Sequence, residues 1–172
     1  MSTYIIRNAT PDDAIDIAQI HVKTWQCAYR GQVPDSFLDA MSVQKRKEKW
    51  QAALEHPEKG EYVLIAEADG KTVGWCTGGA SRDEDADPDT GELQGIYIHS
   101  EYLGKGVGTA LMEYLFRLLR KDRYKRATLW VLDTNKKARD FYEKRGWTIE
   151  GKTKIVPREG FELHEVRYVI DF

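Results

Sequence analysis

One stretch constrains the chain more than any other. The β-prone run Ile96-Tyr97-Ile98 passes through His99-Ser100-Glu101-Tyr102-Leu103 into Gly104-Lys105-Gly106-Val107-Gly108-Thr109. A helical pattern follows to Lys121, with Val107, Leu111, Tyr114, Leu115 and Leu118 on one face. Strand, glycine turn and helix in this order suit an anion. Glycines open backbone conformations closed to other residues and keep side chains away from a ligand. The first N–H groups of a helix have no partner within it and point outward at its positive end. A plain turn needs one or two glycines, whereas Gly104, Gly106 and Gly108 alternate, so the stretch reads as a pyrophosphate site. A Walker loop does not fit, because Gly104-Lys105-Gly106 has the wrong spacing for it. A dinucleotide fingerprint does not fit either: counted from Gly104 its last glycine position falls on Thr109, and from Gly106 on Leu111.

The remaining chain bounds what surrounds this site. With 172 residues there is room for one sizeable core, and the chain reads as a single domain, 1–172. Its 26 Lys and Arg against 28 Asp and Glu leave a net charge of -2, with no global attraction for nucleic acid. Met1 to Arg7 lacks the basic segment and apolar core of a signal peptide, and no run approaches the ~18 apolar residues of a membrane span. A soluble cytoplasmic protein is therefore expected. Cys27 and Cys76 are expected to be reduced, buried and unreactive, since neither has an adjacent cationic partner. His21, His56, His99 and His164 show no paired spacing, so no metal site is expected.

Local signals give an order of elements. Tyr4 to Arg7 reads as a short strand, and Thr10-Pro11-Asp12-Asp13 starts a helix that carries Ala14, Ile17, Ala18, His21 and Trp25 on one face and fades near Gly31. Pro34 to Met41 and Ser42 to Glu55 read as a short and a longer helix. Tyr62 to Ala66 and Thr72 to Cys76 form a hairpin around Asp69-Gly70. Arg82 to Thr90 is an acidic, exposed loop, followed by a strand from Glu92 to Ile98. Beyond the glycine loop and its helix come a strand from Ala127 to Leu132, a helix from about Thr134 to Arg145, and two strands, Trp147 to Ile149 and His164 to Ile170. This order implies an α+β fold with a sheet of mixed direction and helices packed on it.

The glycine loop resembles that of the GCN5-related N-acetyltransferase (GNAT) superfamily, which follows the pattern Gln/Arg, two residues, Gly, one residue, Gly/Ala. Leu103 stands at the Gln/Arg position, Gly106 and Gly108 at the two small ones, and Gly104-Lys105 between. The block Asn135-Lys136-Lys137-Ala138-Arg139-Asp140-Phe141-Tyr142-Glu143-Lys144-Arg145-Gly146-Trp147 is similar to the superfamily's Asn, Ala, Phe-Tyr, Gly-Phe signature. Trp25, Tyr29-Arg30-Gly31 and Pro34 look like the N-terminal region of small-molecule members.

The resemblance implies a mostly antiparallel sheet, with helices on both faces, that splays apart at its central strands. It implies acetyl-CoA as co-substrate. The pantetheine arm would pair with Ile96, Tyr97 and Ile98, and the pyrophosphate would lie on Leu103, Gly104, Lys105, Gly106, Val107, Gly108 and Thr109. Asn135, Arg139 and Tyr142 would face the same ligand. Tyr142 would be the general acid for the leaving thiolate, and the backbone N–H of Ile96 or Ile98 the oxyanion donor. Glu92 resembles the position where several members carry a base for the amine, with a surface carboxylate as its equal alternative. A direct transfer is expected, not an acyl-cysteine.

The acceptor implied is the primary amine of a small molecule, polyamine-like or aminoglycoside-like. A protein or peptide N-terminus, and a non-catalytic acyl-CoA-binding module, are the alternatives. No membrane partner is expected, and a homodimer is compatible with everything above. The acidic loop from Arg82 to Glu92 could draw in a cationic amine, though a solvated loop is the stronger reading. Trp25, Tyr29, Phe37 and Trp50 would either wall an acceptor pocket or serve as core.

Overall fold

The computed structural model describes residues 4–172. Seven strands form one sheet in the order β1-β2-β3-β4-β5-β7-β6. They are β1 (Ile5–Asn8), β2 (Tyr62–Ala68), β3 (Lys71–Ala80), β4 (Thr90–Ile98), β5 (Arg126–Leu132), β6 (Thr148–Arg158) and β7 (Phe161–Asp171). Every neighbouring pair is antiparallel except β4 and β5, which are parallel. The helices are α1 (Ala14–Ala28), α2 (Asp35–Asp39), α3 (Val43–Glu55), α4 (Val107–Lys121) and α5 (Lys136–Glu143). The expected α+β class, mixed sheet and helices on both faces are what the chain adopts.

The two faces have separate cores. On one, α4 lays Val107, Leu111, Met112, Leu115 and Leu119 against Leu64, Cys76, Leu93 and Leu129 of the sheet, and Tyr142 and Trp147 complete the cluster. Gly78 lets α4 approach this closely, because a Cβ there would stand 2.6 Å from a Leu115 methyl. On the other face, Ile17 and Ile20 of α1 pack on Ile65 and Trp75, with Trp50 of α3 alongside. Arg7 ties the N-terminal elements together, donating to both oxygens of Asp13 (2.8 and 2.9 Å) and to Glu67 (3.0 and 3.2 Å).

The feature that makes the site is the divergence of β4 from β5. Their pairing covers only Thr90, Glu92 and the residue between, against Arg126 to Thr128. Just beyond, β4 carries a bulge: Leu93 pairs with Gly78 and Gly95 with Thr77, leaving Gln94 unopposed. A bulge adds twist and bends its strand, and from here to Ile98 β4 pairs on the β3 side alone. The sheet therefore opens into a V between its two central strands.

The largest departure from the sequence expectation is β6, which runs from Thr148 to Arg158 instead of stopping near Ile149, and pairs with β7 along a long hairpin. Nearly every residue of β6 is exposed and the strand lies at the sheet edge. It therefore lacks the apolar alternation by which a strand is recognised, and Pro157 is tolerated because an edge strand can spare an N–H.

Candidate active site

The glycine loop sits at the open end of β4. Gly104 and Gly106 have φ of 72 and 89°, a region costly for residues with a Cβ, and a Cβ at either would meet nothing within 4 Å. Gly106 is the N-cap of α4 and no side chain caps the helix. The first bond into its carbonyl comes from Ala110, so the N–H groups of Val107, Gly108 and Thr109 precede the ladder. Open space in front of unpaired donors at a helix N-terminus is what an anionic group such as a pyrophosphate requires. Gly108 has a different task from the one its alternation suggests. It lies in the helix, and a Cβ there would stand 3.0 Å from the Phe141 ring, so it admits α5 to the loop.

The side chains named for this ligand fall into place unevenly. Leu103, at the position of a Gln or Arg, is 63% exposed and supports nothing. The Tyr4 hydroxyl steadies the loop instead, donating to the Lys105 carbonyl at 2.8 Å. Arg139 does not reach the loop: its Nε donates to the Tyr168 hydroxyl (3.0 Å) and its Nη1 to the Asp133 carbonyl (2.8 Å). Lys136 pairs with Asp140 at 3.0 Å. Arg145 is the cation that stands beside the first turn of α4. Its guanidinium donates to Thr109 Oγ1 at 2.6 and 2.9 Å and covers the Phe141 ring at 3.7 Å. Among the described residues it has no carboxylate partner.

Tyr142 belongs to the α4 core. Burial, then Tyr29, Tyr97 and Cys76, hold its hydroxyl above the ordinary phenol range. Cys76 belongs to the α4 core and Tyr97 to the α1 core. The Tyr142 ring lies 6.4 Å from that of Tyr168 on β7, while the neighbouring Phe141 packs on Gly108 of α4, so α5 reaches both sides of the parting strands. Its ring is 8% exposed and packs edge-on against Phe141 and Trp147. Among the described residues the hydroxyl has no hydrogen-bond partner. Asn135 caps α5, its Oδ1 accepting from the Ala138 N–H at 3.2 Å, and lies beside the Tyr29 hydroxyl. Ile96 and Ile98 turn toward α4, and Tyr97 between them toward α1.

Glu92 is not the surface carboxylate that one reading of its position suggests. The carboxylate is 2% exposed, so it is not on the surface, and Arg82 covers it. Oε2 accepts from the Arg82 backbone N–H (2.9 Å) and Nε (3.1 Å), and Oε1 from Nη2 (2.6 Å). An amine would have to compete with a guanidinium for these lone pairs.

The acidic loop is also less free than its composition implies. Arg167, almost wholly buried on β7, donates to Asp83 at 3.1 Å, to Asp85 at 2.6 and 2.9 Å and to Glu150. Trp130 Nε1 donates to Asp83 as well. Its hydrogen bonds to Arg167 hold Asp85 down at about 2. Both aspartates are spent on the fold. Of the cysteines, Cys76 is buried and burial pushes its thiol up, while Cys27 is exposed at the helix surface, contrary to the expectation for it.

Aromatic side chains from α1, α2, α3 and β7 line the α1 side of the V. Tyr97 stacks on Trp75 (4.5 Å) and on His21 (4.8 Å), Trp25 meets Tyr29 edge-on at 4.6 Å, and Phe37 meets Phe161 at 4.9 Å. His21, Phe161 and Glu165 are additions that sequence signals did not single out. His21 was placed only as a helix-face residue, and Glu165 sits in an alternating strand with nothing to distinguish it.

A family model, the acetyltransferase (GNAT) family, matches residues 17–147. The chain belongs to that family and is an N-acetyltransferase of that type. Two uncharacterized N-acetyltransferases are among its relatives. One from Archaeoglobus fulgidus is 33% identical over 80% of this chain and 88% of its own. The other, YuaI of Bacillus subtilis, is 29% identical over 76% of this chain and 72% of its own. The fold also matches the PaiA N-acetyltransferase of Thermoplasma acidophilum, solved with coenzyme A. The TM-score is 0.80 at 19% identity, with 99% of both chains covered. Among the described residues no helix is long and apolar enough to cross a membrane.

Proposed function

We propose that this chain moves the acetyl group of acetyl-CoA directly to the primary amine of a small molecule. The observation that supports the reading best is the Tyr142 hydroxyl, without a hydrogen-bond partner among the described residues and kept protonated by burial, on the helix that follows the parting of β4 from β5. The loop from Leu103 to Thr109 would hold the pyrophosphate, and the free edge of β4 at Ile96 to Ile98 would take the pantetheine arm as an added strand. A solved neighbour binds coenzyme A and another, YncA of Salmonella typhimurium, was solved with acetyl-CoA, which supports the choice of donor.

In the transfer the amine lone pair forms the C–N bond and the C–S bond breaks. A backbone N–H of β4 steadies the oxyanion, and Tyr142 gives its proton to the departing sulfur. The proton shed by nitrogen restores the phenol. Cys76 takes no part, because a buried thiol with a raised pKa supplies no thiolate.

Two measurements test this. Acetyl-CoA should raise the Tm by mass action while ATP and NAD raise it much less, and a panel of amines should release thiol from acetyl-CoA. Equal shifts from all three nucleotides would remove the loop assignment. Binding of acetyl-CoA without release from any amine, peptide N-termini included, would leave a non-catalytic acyl-CoA-binding protein.

A further inference from the structure

The α1 wall of the V holds polar groups that the fold leaves without partners. Both ring nitrogens of His21 and Nε1 of Trp75 are buried with no hydrogen bond among the described residues, and His21 as a whole is 8% exposed. Buried donors and acceptors are almost always paired in a folded protein, so an unpaired set clustered at one place calls for a partner from outside. These groups are close together: the His21 ring lies 5.6 Å from that of Trp75 and stacks on Tyr97 at 4.8 Å, and Trp25 Nε1 faces the Tyr97 hydroxyl.

Charge is divided along this wall. Arg46 lies one helical turn before Trp50 on α3, and the Trp50 ring meets Trp75 at 4.9 Å beside His21. Glu165 of β7 pairs with Leu132, on the face where Leu132 and Leu163 pack with Trp25 and Tyr29. The wall thus has a cationic end toward His21 and an anionic end toward Tyr29. Arg46 is half-buried, and among the described residues no carboxylate pairs with it. Glu165 has a single ion-pair neighbour there, Lys154 at 3.4 Å. The anionic end is the one on β7, the strand whose Tyr168 ring lies 6.4 Å from that of Tyr142.

We propose that the acceptor amine also carries a carboxylate, as an amino acid does. Its ammonium lies toward Glu165 and Tyr29, and its carboxylate toward Arg46, His21 and Trp75. The proposal rests on the acetyl-transfer reading and narrows its substrate. A polyamine has nothing to offer Arg46 or the unpaired donors. The loop that could have attracted one has Asp83 and Asp85 engaged by Arg167.

Thiol release is measured with phenylalanine against phenylalaninamide, methionine against methioninamide, and spermidine as an acceptor without a carboxylate. The acids should exceed their amides at least tenfold in kcat/KM, even though the amides carry the less basic, more readily neutral amine. Arg46→Met, on a solvent-facing helix, should lower kcat/KM for the acids to the level of the amides and leave the amides, the Tm and acetyl-CoA affinity unchanged. Amides as good as acids, spermidine as the best acceptor, or an equal loss for acid and amide in Arg46→Met would overturn the proposal. Should no amine release thiol, the transfer reading falls, and binding of the same pairs to the CoA-loaded protein, followed by tryptophan fluorescence, still decides the site. Preference for the acid that Arg46→Met abolishes upholds the site, and no preference removes it.

Discussion

The two banks of the V are built from different material. The proposed donor bank, β4 with the glycine loop and the start of α4, offers backbone: N–H groups, two glycines with positive φ and a free strand edge. The proposed acceptor bank offers side chains, drawn from α1, α2, α3 and β7 over a span from His21 to Glu165. Backbone recognises a constant feature shared by every acyl-CoA, and it constrains sequence only where a Cβ would interfere. Side chains recognise what varies between acceptors, and each can change without disturbing the sheet. A family can thus keep one donor and exchange its acceptors by altering one bank alone.

Tyr142 belongs to neither bank, and replacing it has the largest expected effect. Tyr142→Phe keeps the ring and nearly all of its packing, so stability and acetyl-CoA affinity should change little. Turnover should fall by roughly 10²- to 10⁴-fold, the usual contribution of a general acid. Parallel measurement of kcat, Kd for acetyl-CoA and Tm checks this, and turnover within about twofold of the parent would return Tyr142 to the core. Glu92→Gln is expected to lose far less of kcat than Tyr142→Phe, because Arg82 already occupies both oxygens.

The acceptor bank should reveal itself through acid. Burial, with Arg46 adding to it, pulls His21 down to about 4 from 6.5. A folded value below the unfolded one means that the unfolded chain takes up the extra proton in between. Stability therefore falls as pH drops from 6.5 to 4. At about 1.4 kcal/mol per pKa unit the loss is on the order of 3 kcal/mol. Urea titrations at pH 7 and pH 4.5 should show it, and His21→Phe should flatten the dependence within that window. Equal slopes in both proteins would shift the cause to carboxylates.

The donor bank should respond to one added side chain. Gly106→Val places a β-branched residue at a φ of 89° in front of the loop's donors. Acetyl-CoA should bind at least tenfold more weakly, about 1.4 kcal/mol, by calorimetry on the folded variant. Unchanged affinity would mean that the loop is only a turn. The smallest effect expected is none: EDTA should leave kcat where it was, since among the described residues no three potential ligands gather to hold a metal. Loss of activity restored by one divalent cation would contradict it.

The donor bank was legible because it is contiguous. Leu103 to Thr109 states its geometry in successive residues, and the Asn135 to Trp147 block does the same for α5. What sequence could not show was how Gly108 divides its labour from Gly104 and Gly106, since that depends on where Phe141 arrives. The acceptor bank assembles across more than a hundred residues, and neither Arg46 among the charges of α3 nor Glu165 in an alternating strand carries a local mark. Glu92 and Arg82 are hard to read for a related reason: an exposed-looking loop residue reaches back to cover a carboxylate on a central strand. The length of β6 escaped because an edge strand exposed on both sides looks like a loop.

The bulge at Gln94 leaves two unpaired strand edges facing each other inside the sheet. Exposed strand edges are templates for intermolecular pairing, and proteins commonly shield them with charge or by closure. Here the shield is geometric: the edges face inward and the gap narrows to a paired apex. A thin, flexible chain can enter such a slot, whereas a second polypeptide with its own side chains is too thick. The same opening proposed for the pantetheine arm thus keeps neighbouring molecules from zipping onto the centre of the sheet. Solutions of the protein should accordingly resist aggregation better with coenzyme A present to fill the slot than without it.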